Sequence, residues 1–280
     1  MNIKRIISGS LLSMFLALNT AHAPAAYADA DGGFSQSQIA SSPLKPTLSV
    51  SRIKLNASEA ASSRQTVKIS VKGADKNYCS TGIHVYYDKR LSLVPAKANL
   101  AASKGSAAAN LSTESLAFEN CIFLATAGKT GSGLDGDIWS FTLQLPDDAA
   151  DGDIYPIRIV YEKGKITEDC FVNDATNRDS LLMQAWLFTN GIENGYIQVG
   201  DRSFGDSNCD GKVDLSDAVL IMQCVSNPDQ YSVIGKAKGH ITEKGYKNAD
   251  VYSIGDGVTS KDALSIQKYM LKMLKSLPEG

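Results

Sequence analysis

The twelve residues DSNCDGKVDLSD (206–217) gather four aspartates and an asparagine in one short stretch, and carboxylates do not crowd together out of bulk water without a cation. Counted as a loop, Asp206 takes position 1, Asn208 position 3, Asp210 position 5, Asp214 position 9 and Asp217 position 12, and the Lys212 carbonyl supplies position 7. Calcium, a hard ion taking roughly six to eight oxygens, asks for this alternation of ligands around a tight turn. Gly211 at position 6 makes the turn at no steric cost. Asp217 stands where a longer Glu is usual, and a helix starting at Asp214 or Leu215 carries it. The plainer alternative is an acidic turn beside a helix cap. It leaves unexplained why five oxygen-bearing side chains keep register with Gly211.

A second copy, DVYSIGDGVTSKD (250–262), runs to thirteen residues. Matching Asp262 to Asp217 gives a repeat offset of 45, and DALSIQ then falls on DAVLIM. Asp256 and Gly257 sit one residue too close to Asp262 for the twelve-residue count, so the expected ligands are Asp250, Asp256 and Asp262, with Ser253 and Thr259 assisting. Two calcium ions are expected. Each loop runs into a helical pattern, LSDAVLIMQCV and SKDALSIQKYMLKMLKSL; in the second, Ala263, Ile266 or Gln267, Met270 and Leu274 recur at helical spacing. The segment 203–276 therefore reads as a small all-α domain, and a core of that size needs bound metal to help hold it.

Upstream the pattern changes. Residues 47–199 are short strand-like runs divided by Gly, Asp, Asn and Pro: TLSVSRIKL, QTVKISV, TGIHVYYD, LSLVP, ESLAF, CIFLATA, DIWSFTLQL, DIYPIRIVY and GYIQVG. Val67, Ile69 and Val71 alternate with Lys68 and Ser70, as in a sheet with one buried face. These nine segments predict a mainly β fold, a nine-stranded β-sandwich. Pro156 inside one of them predicts an edge or a bulge, while DSLLMQAWLF (179–188) reads equally as helix or strand.

The N-terminus, MNIKRIISGSLLSMFLALNTAHA, has Lys4 and Arg5 before an apolar run and ends on a small-x-small site. Residues 1–23 are thus expected to be a secretory signal peptide, too short and too serine-interrupted to span a bilayer. Residues 24–46, rich in Ala, Ser, Gly and Pro, read as a flexible leader. A formal net charge of -2 from 28 basic and 30 acidic residues removes the electrostatic argument for a nucleic-acid partner. Five cysteines without a Cys-x-x-Cys pair, and three scattered histidines, read as small buried side chains with at most an occasional bridge rather than a zinc site.

A complete calcium loop followed directly by a helix, and repeated after a connection containing ITEKGYKNA, is similar to the dockerin module of cellulosome proteins, of a type I-like kind. The resemblance implies two loop-helix units that fold about calcium and present helical faces to a cohesin. The matching positions are Leu215, Ser216, Met222 and Gln223 on the first helix and Ser260, Lys261, Gln267 and Lys268 on the second. Leu215-Ser216 against Ser260-Lys261 makes the copies unlike and argues against binding in two orientations. Beside a dockerin, the segments TGIHVYYDKRLSLVP, GDIYPIRIVY and NGYIQVG look like a cohesin, a nine-stranded jelly-roll sandwich that receives dockerins on one flat sheet face. Together the resemblances imply a secreted, extracellular, cellulosome-associated adaptor scaffoldin without catalytic activity. Residues 47–199 would bind a dockerin-bearing protein and 203–276 would dock onto a scaffold cohesin. The alternatives are a dockerin-bearing carbohydrate-binding module, with Trp139, Tyr155, Tyr161, Trp186 and Tyr196 as its aromatics, and a small dockerin-bearing glycoside hydrolase drawing on Asp88, Glu114, Asp135, Asp137, Asp153 or Glu162.

Overall fold

The computed structural model describes residues 30–97, 100–163 and 167–279, so the expected signal peptide and the start of the leader lie outside the described residues. In chain order the elements are α1 (Gln36–Ala40), β1 (Thr47–Val50), β2 (Arg52–Leu55), α2 (Ala57–Ala60), β3 (Arg64–Lys72), β4 (Ser80–Tyr87), β5 (Ser92–Val94), β6 (Ser103–Lys104), β7 (Ser112–Phe118), β8 (Cys121–Ala127), β9 (Gly136–Gln144), β10 (Ile154–Ile159), β11 (Cys170–Val172), α3 (Arg178–Asn190), β12 (Ile192–Glu193), β13 (Gly195–Val199), α4 (Leu215–Ser226), α5 (Pro228–Tyr231), α6 (Glu243–Ala249) and α7 (Ser260–Met270).

The strands make two sheets. One runs β12-β1-β3-β9-β5 with β6 also on β9, and the other runs β2-β13-β10-β4-β8-β7 with β11 on β4. In the first sheet Val67 faces Phe141 across β3 and β9 and Ile69 faces Trp139, all buried, while Lys68 and Ser140 lie between them on the outer side. In the second, Ile83 pairs with Leu124 and Val85 with Ile122, again fully buried. Burying each such side chain contributes ~1.5–3 kcal/mol, and the inner faces of the two sheets supply the core.

All nine expected segments are strands, but thirteen strands occur among the described residues. TLSVSRIKL is broken at Ser51, so that β1 pairs with β3 in one sheet while β2 runs parallel to β13 in the other. The remaining three, β6, β11 and β12, have two or three residues each, too few to show a period. Pro156 is a correction: it lies opposite Tyr196 in β10, and β10 sits between β13 and β4 rather than at an edge. The ladder forgoes one donor there.

The leader is a second correction. Ser35 caps α1 through a capping box with Gln38, and Ile39 is fully buried, so order begins well before residue 47. The ambiguous stretch 179–188 is helical. Asn177 caps α3 by accepting from the Asp179 and Ser180 amides, and Leu182, Met183, Leu187 and Phe188 are buried.

The chain divides into two compact units, residues 1–51, 64–144 and 158–193 in one and 52–63, 145–157 and 194–280 in the other. The second unit contains α4 to α7, whose apolar centre is Ala218, Ile221, Cys224, Ile241, Ala249, Val251, Ala263 and Ile266. All five cysteines are free thiols.

Candidate functional site

The first acidic loop closes on its own backbone. Asp206 accepts from the amides of Asp210 and Gly211 at 3.1 Å each, and Gly211 adopts a left-handed φ of +87°. Asp217 accepts from the Asn208 amide at 3.1 Å and the Asp214 amide at 2.8 Å, while Asp214 caps α4 in return. Asn208 donates its side-chain amide to Asp210 and Ser216, and the Lys212 amide donates to Asp210. The connecting segment forms α6. Asn248 donates to the Asp206 carbonyl, and a Cβ on Gly245 would meet the Ser207 carbonyl at 2.0 Å, so only glycine permits this approach.

The second loop repeats these contacts in a register that differs from the expected one. Gly255, not Gly257, donates its amide to Asp250 Oδ2 (2.8 Å), as Gly211 does to Asp206 Oδ2, and its φ is +94°. Thr259 takes the place of Asp214 as the helix cap, paired with Asp262 in a capping box. Asp262 accepts from the Val251 and Tyr252 amides at 2.7 and 2.8 Å. Counted from Asp250, positions 3 and 5 are then Tyr252 and Ile254. The extra residue falls between Gly255 and Thr259, and Asp256 is exposed beyond the turn. Ser253 has a left-handed φ and donates its amide to the Glu279 carbonyl.

Among the described residues no three or more His, Cys, Asp or Glu side chains gather as a ready metal cluster, because the carboxylates are held by the loops' own amides. The donor chemistry nonetheless fits a hard cation. Asp206, Asp217, Asp250 and Asp262 are all buried, and Asp250 Oδ1 has no hydrogen-bond partner. Burial raises the Asp217 pKa, with the Asp206 charge adding to it. Burial likewise pushes Asp250 up to about 6, and the charges of Asp262 and Asp256 push the same way. Each loop thus carries buried negative charge that a calcium ion would neutralise.

Of the surface positions expected to meet a partner, Leu215, Ser216, Met222, Ser260, Lys261 and Gln267 are exposed, and Gln223 and Lys268 are half-buried. Three are engaged within the chain, Ser216 by accepting the Asn208 side-chain amide and donating to Asp214. Lys268 donates to Glu279 (2.6 Å), and the Lys261 ammonium lies 5.0 Å from the centre of the Tyr252 ring. Val219 and Leu264, which the sequence reading passed over, are also exposed. Leu215, Val219 and Met222 follow one another at i, i+4 and i+7 on α4, a second apolar stripe beside the buried Ala218 and Ile221. That doubled periodicity was the available signal.

The two sheets differ in their outer faces. On the first, Arg64 pairs with Gln144, Thr66 with Thr142 and Lys68 with Ser140. On the second, Phe118 lies opposite Cys121 and Cys121 opposite Tyr86, next to a row of Leu116, Phe123 and His84. Phe118 is 49% exposed and Tyr86 36%. Most of the residues that would have served other functions are otherwise employed. Trp139 and Tyr155 are buried, Trp186 lies under Lys45, and Tyr196 packs on Phe204, so no row of exposed aromatics forms from them. Asp88 holds Arg90, Asp135 accepts the Gly73 and Ala74 amides, Asp137 holds Lys68 and Ser70, Asp153 accepts the Ala150 amide, and Glu162 takes the Tyr86 hydroxyl.

The strands thus form a two-sheet sandwich in which these five acids serve turns and strand ends. No family model matches the chain. Among solved structures, the type III cohesin module from the cellulosomal ScaE cell-surface anchoring scaffoldin of Ruminococcus flavefaciens is 42% identical, with a TM-score of 0.59, covering 64% of this chain and 98% of that one. The chain belongs to the cohesin family, and its sandwich is accordingly a scaffolding module, not a catalytic one. In the complex of the third ScaB cohesin of R. flavefaciens with a group 1 dockerin, one chain is 51% identical, covering 26% of this chain and 94% of its own length at a TM-score of 0.26. A xylanase/beta-glucanase of R. flavefaciens is 50% identical over 77 residues, 28% of this chain, and the chain spans a tenth of that enzyme's length. No helix among the described residues is long and apolar enough to cross a membrane.

Proposed function

We propose that the protein is a secreted, non-catalytic adaptor of an extracellular cellulosome. Its cohesin sandwich (47–199) receives the dockerin of another protein. Its C-terminal segment (203–276) is itself a calcium-dependent dockerin, with an ion in each loop, that docks onto a scaffold cohesin. The observation that carries this reading is one chain holding both a cohesin and two loop-helix units, each closed around a buried pair of aspartates. The 50% identity over 77 residues with a xylanase/beta-glucanase supports the second half, since a match of that length suits a module carried by enzymes and adaptors alike.

The receiving surface is the outer face of β7, β8 and β4, where Phe118 and Tyr86 offer apolar area that docking would bury. The outer face of β3 and β9 is polar by comparison. On the C-terminal side the contact runs along Leu215, Ser216, Val219, Met222 and Gln223 of α4 with Ser260, Lys261 and Gln267 of α7. Calcium fixes both helices by neutralising Asp206, Asp210, Asp214 and Asp217 in one loop, where Asn208 and the Lys212 carbonyl supply further oxygens. In the other it meets Asp250, Thr259 and Asp262, with Ser253 and Asp256 nearby.

A biosensor series with the full chain immobilised tests this, passing a panel of dockerins and then cellulose and xylan oligosaccharides over it in calcium. Saturable binding of a dockerin, weakened about tenfold or more by Phe118→Ala with Tyr86→Ala, is the expected result. Binding of glycans with no dockerin response would contradict it.

A further inference from the structure

Resting on the calcium reading above, we propose that Arg202 is a built-in cation of the second loop, so that the two loops take calcium unequally, the first tightly and the second weakly. The Arg202 side chain is only 2% exposed and sits 3.7 Å from Asp250 Oδ2. Its guanidinium donates to the Asp250 carbonyl (3.0 Å) and to the Lys247 carbonyl, and stacks 5.0 Å from the centre of the Phe204 ring. An arginine cannot shed its proton, so the second loop holds a fixed positive charge next to its first carboxylate.

The first loop has no buried counterpart, its own Lys212 being exposed. Among the described residues no lysine or arginine forms an ion pair with Asp206, Asp210, Asp214 or Asp217. The ligand sets differ in the same direction. With Gly255 in the turn position, Tyr252 and Ile254 stand where the first loop has Asn208 and Asp210, and Ile254 is buried. Asp250 Oδ1, buried and unpartnered, leaves the second loop still short of one donor or cation, so Arg202 offsets the demand for an ion without abolishing it. A dication entering beside a buried guanidinium meets repulsion that water does not screen. Arg202, four residues before the first loop, also ties that segment to the end of α6, which keeps the second loop closed at low calcium.

Isothermal calcium titration of the metal-stripped full chain decides the matter, with circular dichroism to confirm folding of each variant. The expected result is two sites whose dissociation constants differ by about tenfold or more. Asp217→Asn removes the tight one and Asp262→Asn the weak one. Arg202→Gln and Arg202→Met, which drop the charge, tighten the weak site by about tenfold, and Arg202→Lys leaves it within about twofold. Two equal sites, a tight site lost with Asp262→Asn, or a weak site unmoved or weakened in the folded neutral variants would overturn the proposal. Absence of calcium binding at either loop would instead overturn the calcium reading itself, and this inference with it.

Discussion

At the scale of single residues, two buried or half-buried charges in the sandwich make separable predictions. His84 and Asp169 are both buried, joined by a 2.8 Å hydrogen bond from Nδ1 to Oδ1, with Thr167 at the other ring nitrogen. Burial raises the Asp169 pKa, and His84 opposes that rise. His84→Ala leaves the carboxyl buried without its partner and should cost about 3 kcal/mol or more in urea unfolding. A loss below about 0.5 kcal/mol would show that the pair is dispensable. Asp137 is the opposite case. The Lys68 ammonium and the Ser70 hydroxyl hold its pKa below the ordinary carboxylate range. A depressed folded pKa contributes stability above the unfolded value of about 3.9, and that stability is lost as pH falls through the folded value. Melting curves should therefore show Asp137→Asn below the wild type at about pH 7, with the gap closing by about pH 2. The half-exposed pair keeps the gap small, and a gap that widens in acid would contradict the assignment.

At the scale of elements, caps and short segments carry the predictions. Asn177→Ala removes the oxygen that satisfies the first amides of α3 and should destabilise by about 1 kcal/mol, read as a lower urea midpoint at unchanged slope. Ile39→Ala, which empties a fully buried site under α1, should cost about 2–5 kcal/mol if that helix is an integral part of the fold. A neutral result would make α1 a loosely held flap. The same elements show what could be read beforehand. A strand such as β3 was legible because its burial alternates along its nine residues, whereas β4, buried on both faces over most of its length, showed itself as a β-branched and aromatic run. The Ser35-x-x-Gln38 box and Asn177 were equally visible, but α1 has a single apolar anchor and α3 is buried around too much of its circumference to show one stripe. In the first loop the turn at Gly211 and the Asp214–Asp217 cap of α4 were legible in register. The second was not, because two glycines two residues apart offered alternative turns, and only the Gly255 amide bond to Asp250 decides between them. Arg202 gave no local signal at all, since its partner lies 48 residues away.

At the scale of the whole molecule, calcium should act on one part of the chain. Binding at about 100 times the dissociation constant adds ~2.7 kcal/mol per site, so chelation should strip amide-exchange protection from α4 and α7 while β3 and β8 stay protected. Loss of protection in both, or in neither, would contradict a structural role confined to the loop-helix units. The central claim is that one chain engages a dockerin and a scaffold cohesin at once, and size-exclusion chromatography with light scattering on the three proteins together tests it most directly. The account predicts a complex of one copy each in calcium, from which excess chelator releases the scaffold cohesin together with any calcium-dependent dockerin, and in which Leu215→Asp with Met222→Asp drops only the scaffold cohesin. A chain that binds one partner but never both, or that keeps the scaffold cohesin after the α4 surface is changed, would contradict it.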